Sequence, residues 1–232
     1  MLLKTSGLVI REKVLSNDNR MLTILTGEYG VIKAFIRTSR KMRSSLAAAI
    51  DLFSYSDFLI FFNKDQYCVD GAETNRIFYH LREDLEKTSL AAYMGELAET
   101  LVPQGEPAQE YLSLMLNCLH LLETDQRTVD FIKPLFELRL LTMAGYMPDL
   151  VGCTCCGQYQ EEQFYFSHYT GKLLCANCCE QEKPQGYVPL TKDQLAAMRH
   201  IVFAQGNRVF RFKMSEAGLY NLGILTEVYL NT

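Results

Sequence analysis

Six of the eight cysteines fall into two clusters, Cys153, Cys155, Cys156 and Cys175, Cys178, Cys179. Within them, Cys153-x2-Cys156 and Cys175-x2-Cys178 repeat one spacing across eighteen intervening residues. Two residues between cysteines let both sulfurs of a knuckle converge on one ion, Gly157 relaxes the turn after the first pair, and a hairpin between the pairs closes the tetrahedron. Soft thiolates favour Zn(II) over hard ions, with iron as the alternative. Four sulfurs fill the coordination shell and leave no position for water. The expected cofactor is therefore one structural Zn(II) per chain, held by Cys153, Cys156, Cys175 and Cys178. Cys155 and Cys179 adjoin these ligands and offer a shifted register in which only one half would match. Cys68 and Cys118 sit among apolar neighbours and read as ordinary core residues.

A second chemistry is electrostatic. Arg37, Arg40, Lys41 and Arg43 fall within seven positions, with Lys33 just before them and Arg11, Lys13 and Arg20 on preceding strands or turns. A groove that tracks a phosphate backbone needs cations at several points and aromatic side chains beside them on which bases stack. Phe35 and Tyr29 are the aromatic candidates. Residues 1–50 hold nine bases and three acids, a net charge of +6, whereas the whole chain carries −4. The anionic partner should thus meet the amino-terminal part, because an acidic body repels a polyanion.

Catalytic signatures are lacking: there is no G-x-x-x-x-G-K-[ST] phosphate cradle, no G-x-S-x-G elbow, no H-E-x-x-H and no H-x-E beside the cysteines. His80, His120, His168 and His200 are scattered. The sequence reads as a non-enzyme. The competing classes are a zinc-ribbon transcription or adaptor protein, whose cysteine lobe would itself make the contact, and a zinc hydrolase or deaminase, which would need an open coordination site.

These residues must be positioned by two kinds of element. Residues 5–74 read as short strands, Gly7 to Val14, Met21 to Thr26, Val31 to Thr38, Ile50 to Phe62 and Gln66 to Glu73, separated by turn signals such as Gly27-Glu28-Tyr29-Gly30. In the third, alternation puts Ile32, Ala34 and Ile36 on one face and Lys33, Phe35 and Arg37 on the other. Five strands in about 70 residues fit a small closed barrel, an OB-fold in the first instance and an SH3-like barrel as the alternative. From Asn75 the pattern turns helical. Leu112, Met115, Leu116, Leu119 and Leu122 recur at helical spacing after Pro107. Residues 128–145 are apolar nearly all round, with Pro134 implying a kink or a start near Lys133. Thr191 and Gln194 have capping-box spacing, and a last helix begins near Ser215.

At 232 residues and 48% hydrophobic content, the chain has room for more than one compact unit. Its longest uncharged apolar stretch, Leu112 to Leu122, is far short of the roughly 20 residues that span a bilayer. The start MLLKTSGLVIREK lacks a signal-peptide core and cleavage site, so a cytoplasmic location is expected.

Several stretches together resemble the RecO family of bacterial recombination mediators and DNA-repair proteins. They are Gly7-Leu8-Val9-Ile10, Met21 to Gly30 (MLTILTGEYG), Phe136 to Gly157 (FELRLLTMAGYMPDLVGCTCCG), Phe166-Ser167 and Gly171 to Cys175 with Cys178. The resemblance covers the whole chain. It implies an α+β multidomain fold: an amino-terminal OB-fold β-barrel in 1–79 and an α-helical domain in 80–232 with a four-cysteine zinc-binding insertion at about 150–182. It further implies binding to ssDNA and dsDNA, annealing of complementary strands, association with RecR and with the acidic tail of SSB, indirect action on RecA, and a place at the bacterial nucleoid. As a class, the family's DNA contacts fall here on Arg11, Arg20, Lys33, Arg37, Arg40, Lys41 and Arg43. A cation beside an apolar pocket suits the SSB tail, and Lys133 and Arg139 are the candidates.

Overall fold

A computed structural model describes residues 2–15, 19–37, 44–63 and 66–232. They resolve into two compact units, Met1–Val129 and Asp130–Thr232. The first holds β1 (Leu2–Val14), β2 (Arg20–Thr26), β3 (Gly30–Ile36), α1 (Ser44–Ala49), β4 (Ser54–Asn63) and β5 (Gln66–Ile77). These are followed by α2 (Leu85–Leu101) and α3 (Gln109–Glu123).

The five strands close into a barrel in the order β1-β2-β3-β5-β4. Closure depends on the length of β1: Leu2 to Leu8 pair with β4, Gly7 to Val14 pair with β2, and a register shift between Val9 and Arg11 bends the strand from one partner to the other. The parallel contact of β3 with β5 completes the circuit. Leu3, Val9, Leu22, Ile24, Ile32, Ala34, Ile36, Ile50, Phe58 and Ile60 fill the interior. α1, where the sequence pattern predicts a loop leading into a strand, lies at this core: Leu46 packs against it, Ala49 is buried, and Ser56 Oγ donates to the Ala49 carbonyl at 2.8 Å. β5 also runs on to Ile77, past the Asn75 where the helical pattern was expected to begin, and the first long helix starts only at Leu85.

A second apolar layer lies outside the barrel. Leu8, Leu25 and Val31 pair across β1, β2 and β3 and belong to the outward phase, yet they are buried. Helices α2 and α3 pack on β1 and β2 and cover that row. The link between the helices is laced to the β2–β3 turn: Ala108 N–H donates to the Gly27 carbonyl at 2.8 Å and Gly105 N–H to the Tyr29 carbonyl at 3.0 Å. Gly30 has φ +63° and lies so close to the Pro103 carbonyl that a Cβ there would overlap it.

The second unit is built around α4 (Val129–Met143), with Phe131, Ile132, Leu135, Phe136, Leu138, Leu140 and Leu141 all buried. Pro134 lies inside this helix and does not begin it. β6 (Asp149–Cys153), β7 (Phe164–Ser167), β8 (Lys172–Cys175) and β9 (Tyr187–Leu190) form a four-stranded sheet ordered β6-β8-β7-β9, with α5 (Ala176–Glu182) following β8. α6 (Lys192–Phe203) opens on Thr191 with the reciprocal capping box its spacing predicted, and α7 (Glu216–Leu230) opens on Ser215. Among the described residues, no helix is long and apolar enough to cross a membrane.

Candidate nucleic-acid interface and metal centre

The two cysteine pairs are brought together by strand pairing. Cys153 ends β6 and Cys175 ends β8, while Cys178 lies in the first turn of α5. Gly157, at φ +76°, turns the first knuckle back so that its N–H donates to the Cys153 carbonyl at 2.8 Å, and Thr154 anchors that knuckle on the Leu173 carbonyl through both N–H (2.9 Å) and Oγ1 (3.0 Å). The four sulfurs of Cys153, Cys156, Cys175 and Cys178 lie within 4.8 Å of one another. Cys155 is outside the group, its Sγ directed to Glu182 at 3.3 Å, so the register with two matching halves is the one the fold selects.

The donor set fits a soft cation. Burial alone would raise the Cys153 thiol, but backbone N–H groups of Cys156, Cys175 and Cys155 point at its sulfur and lower its pKa to about 6. Its neighbours move the other way: hydrogen bonding to the Cys175 sulfur holds Cys178 up, and burial raises Cys175. So many sulfurs at this separation do not all ionise side by side unless a cation lies among them. Cys153, Cys156, Cys175 and Cys178 are the residues that would hold one.

The barrel cations divide by strand phase. Arg11 pairs across to Thr23, and Thr23 across to Lys33, so Arg11 and Lys33 share one outward row. The next outward row is Lys13, Met21 and Phe35, and Arg37 follows Phe35 as an exposed residue at the end of β3. This face begins where the cover of α2 and α3 stops. Glu99, near the end of α2, marks the boundary: its carboxylate meets Arg11 at 3.1 Å and Lys33 at 2.8 Å. Its pKa is lowered, chiefly by the Lys33 hydrogen bond, with burial opposing and Arg11 adding to the effect. Glu99 is the residue that sequence reasoning missed. It stands 88 positions from Arg11 in a helix without motif character, and no local pattern signals the pairing.

Other candidates are placed elsewhere. Arg20 belongs to the inward phase at the barrel end, opposite Ile36 and Val14, and pairs with Glu12 at 2.7 Å. Arg40, Lys41 and Arg43 lie outside the described residues. Of the two aromatic candidates, Phe35 faces outward and half-buried, whereas Tyr29 packs against the barrel core. Cys68 is not a core thiol; it is half-exposed on the outer face opposite Phe35. A cavity of about 570 Å³ bordered by Lys4, Glu28, Asp57 and Glu73 carries the wrong balance of charge for a polyanion.

In the second unit, Lys133 bridges Glu137 and Glu227, both at 2.9 Å. Glu137 is fully buried and also accepts from Thr226 Oγ1. Arg139 donates to the carbonyls of Ile201 (3.2 Å) and Val202 (2.9 Å) in the last turn of α6, where orphan acceptors need a donor. Both cations therefore already hold their own unit together.

Two family models match the chain in succession, dividing it between residues 78 and 82, whereas the compact units divide at Val129. The family described as Recombination protein O N terminal matches residues 1–78, and that described as Recombination protein O C terminal matches residues 82–232. A DNA repair protein RecO from Acetivibrio thermocellus is 34% identical over 228 residues, covering 98% of this chain and 90% of the relative. One from Alkaliphilus metalliredigens is 36% identical over 178 residues, 77% and 72% of the two chains. A third, from Dehalococcoides mccartyi, is 28% identical over 221 residues, 94% and 85%. With both of its parts matched and close relatives aligned along nearly its whole length, the chain belongs to the RecO family of DNA repair proteins.

Proposed function

We propose that the protein is a recombination mediator that binds ssDNA and dsDNA, anneals complementary strands and, with RecR, helps RecA load onto SSB-coated ssDNA. The observation that carries this reading is the outward barrel face on which Arg11, Lys13, Lys33 and Arg37 surround Phe35. Strand order β1-β2-β3-β5-β4, with a helix between β3 and β4, supports an OB-fold over an SH3-like barrel. In this reading 1–79 is the DNA-binding module, and 80–232 is the helical domain with its insertion at about 150–182. Arg40, Lys41 and Arg43, which follow β3 in the sequence, are counted with these cations in this reading. Arg20 contributes from the barrel end only if DNA displaces Glu12.

No bond is made or broken. Cations spaced along the face neutralise two backbones while leaving base edges free, which lowers repulsion between strands and speeds pairing. Zn(II) is the metal the four cysteines suit best, and its role is to hold the sheet lobe. The second unit is the place for the SSB tail, but Lys133 and Arg139 would have to give up internal partners to receive it. The protein acts at the nucleoid, in the cytoplasm.

The test is annealing of complementary SSB-coated oligonucleotides by the wild type and by R37E/R40E/K41E/R43E. The variant should lose annealing and bind both DNA forms at least about tenfold more weakly. Undiminished binding would remove DNA from this face.

A further inference from the structure

Ladder register brings one more set of residues onto the barrel exterior. Leu2 of β1 pairs with Phe61 of β4, Phe61 with Cys68 of β5, Cys68 with Phe35 of β3, Phe35 with Met21 of β2, and Met21 with Lys13 at the far end of β1. This is a continuous outward row around the barrel, apolar until it reaches Lys13. Phe61 is 45% exposed and Leu2 54%, while Met21, Phe35 and Cys68 are half-buried. Helices α2 and α3 cover the parallel row at Leu8, Leu25 and Val31 and leave this one open. Exposed Lys4, Lys13, Lys33 and Arg37 border it, and Asp70, pushed out where the β4–β5 register shifts, is the nearest described carboxylate along β5.

Resting on the DNA-binding reading above, we propose that this row is a base-stacking belt for single-stranded nucleic acid, with Phe61 as a second aromatic platform beside Phe35. Charge complementarity selects the occupant: apolar rings framed by cations suit flat bases carried on an anionic backbone. Phe35 and Phe61 are two strand spacings apart, about 10 Å, which gives each ring room for its own base. A duplex keeps its bases inside the helical stack and offers this belt only its backbone. Stacking on Phe61 thus raises affinity for single strands alone, and Phe61 sets strand preference while the cations set affinity for any DNA.

The chain contains no tryptophan, so Phe61→Trp installs a sole tryptophan on the belt, whose red-edge excitation separates it from the 13 tyrosines. Titration with a dT oligomer of about 20 nucleotides should quench it, and a duplex of equal length should not. Phe61→Ala should weaken binding of the oligomer about tenfold, leave duplex binding within about twofold, and leave the salt slope unchanged because no phosphate contact is lost. An unquenched tryptophan in a protein that still binds the labelled oligomer overturns the belt and leaves the phosphate face standing. Equal losses on single strand and duplex would also overturn it, since Phe61 would then only shape the barrel. So would a wild-type dimer that Phe61→Ala dissociates with unchanged DNA affinity, because the belt would then face a second copy. Failure of the wild type to bind either DNA form at low salt would remove the underlying reading and the belt with it. Phe61→Leu keeps the apolar bulk without the ring, and should behave as the Ala variant does.

Discussion

Glu99 sets Arg11 and Lys33 in place and competes for them. A carboxylate held between two cations occupies the kind of position a phosphate oxygen would take, so the proposed DNA binding at these residues would be an exchange and not a simple addition. Glu99→Gln removes the competing charge, and should tighten DNA binding at low salt by a factor of about 5, the equivalent of about 1 kcal/mol. The same substitution reads out in stability. Because the folded-state pKa of Glu99 is lowered, its ion pairs stabilise the fold above the ordinary glutamate range, and that contribution is lost as pH falls through the lowered value. Urea unfolding should therefore show a shallower acid-side loss of stability in the variant than in the wild type, and parallel curves would exclude the role. Lys133 makes the complementary case. Lys133→Met removes the cation that pairs with the fully buried Glu137 and should cost about 3 kcal/mol in urea unfolding, with partial recovery on adding Glu137→Gln. The links of Glu99 to Arg11 and Lys33 and of Lys133 to Glu227 are not legible in the sequence, because they join residues far apart in the chain, whereas Lys133 and Glu137 stand four residues apart on one helix, a spacing the sequence does show. The four-cysteine cluster is legible, because both members of each pair sit within one turn of chain and their spacing encodes the knuckle directly.

At the scale of elements, alternation exposed the barrel strands while short or non-periodic elements stayed hidden. Lys33, Phe35 and Arg37 fall on the outward face that period two assigns them, since β3 is half covered by core and half open. The six-residue α1 spans too little chain to show a helical repeat, and its Ala-rich stretch reads equally well as linker. β5 loses its alternation where register shifts in its ladder with β4 displace residues from phase, so its pattern reads as strand only to Glu73 and its last residues, from Asn75, read as the start of a helix. The sheet β6-β8-β7-β9 has strands of only four or five residues, and its apolar face of Leu150, Phe164, Phe166, Leu173 and Leu190 is buried. A metal held by its four cysteines would add to that packing, since structural zinc contributes on the order of 10 kcal/mol to local folding. Chelation, or Cys153→Ser, should abolish amide protection across β6 to β9 and α5 while the barrel amides stay protected. Uniform loss of protection would show that the lobe and the barrel unfold as one.

For the molecule as a whole, the opposed charges of its parts would govern the proposed approach to DNA. Residues 1–50 carry +6 within a chain of net −4, so the remainder carries −10. Close contacts and long-range field then have opposite signs for a polyanion. Screening separates them, because the Debye length is about 30 Å at 0.01 M salt and about 10 Å at 0.1 M. Raising salt through that range first suppresses the long-range repulsion from the acidic remainder, while ion pairs made at contact distance persist. Above it, release of counterions from the neutralised phosphates dominates, and for about five contacts on a single strand log K should fall against log salt with a slope of roughly −3.5. The full chain should therefore give a curved plot, shallow at low salt and steep beyond about 0.1 M. Fluorescence anisotropy of a labelled single strand over that range measures it. A straight line of the full slope down to the lowest salt would mean that the acidic remainder exerts no field at the binding face. A slope near zero throughout would mean that the cations of the barrel do not hold phosphate.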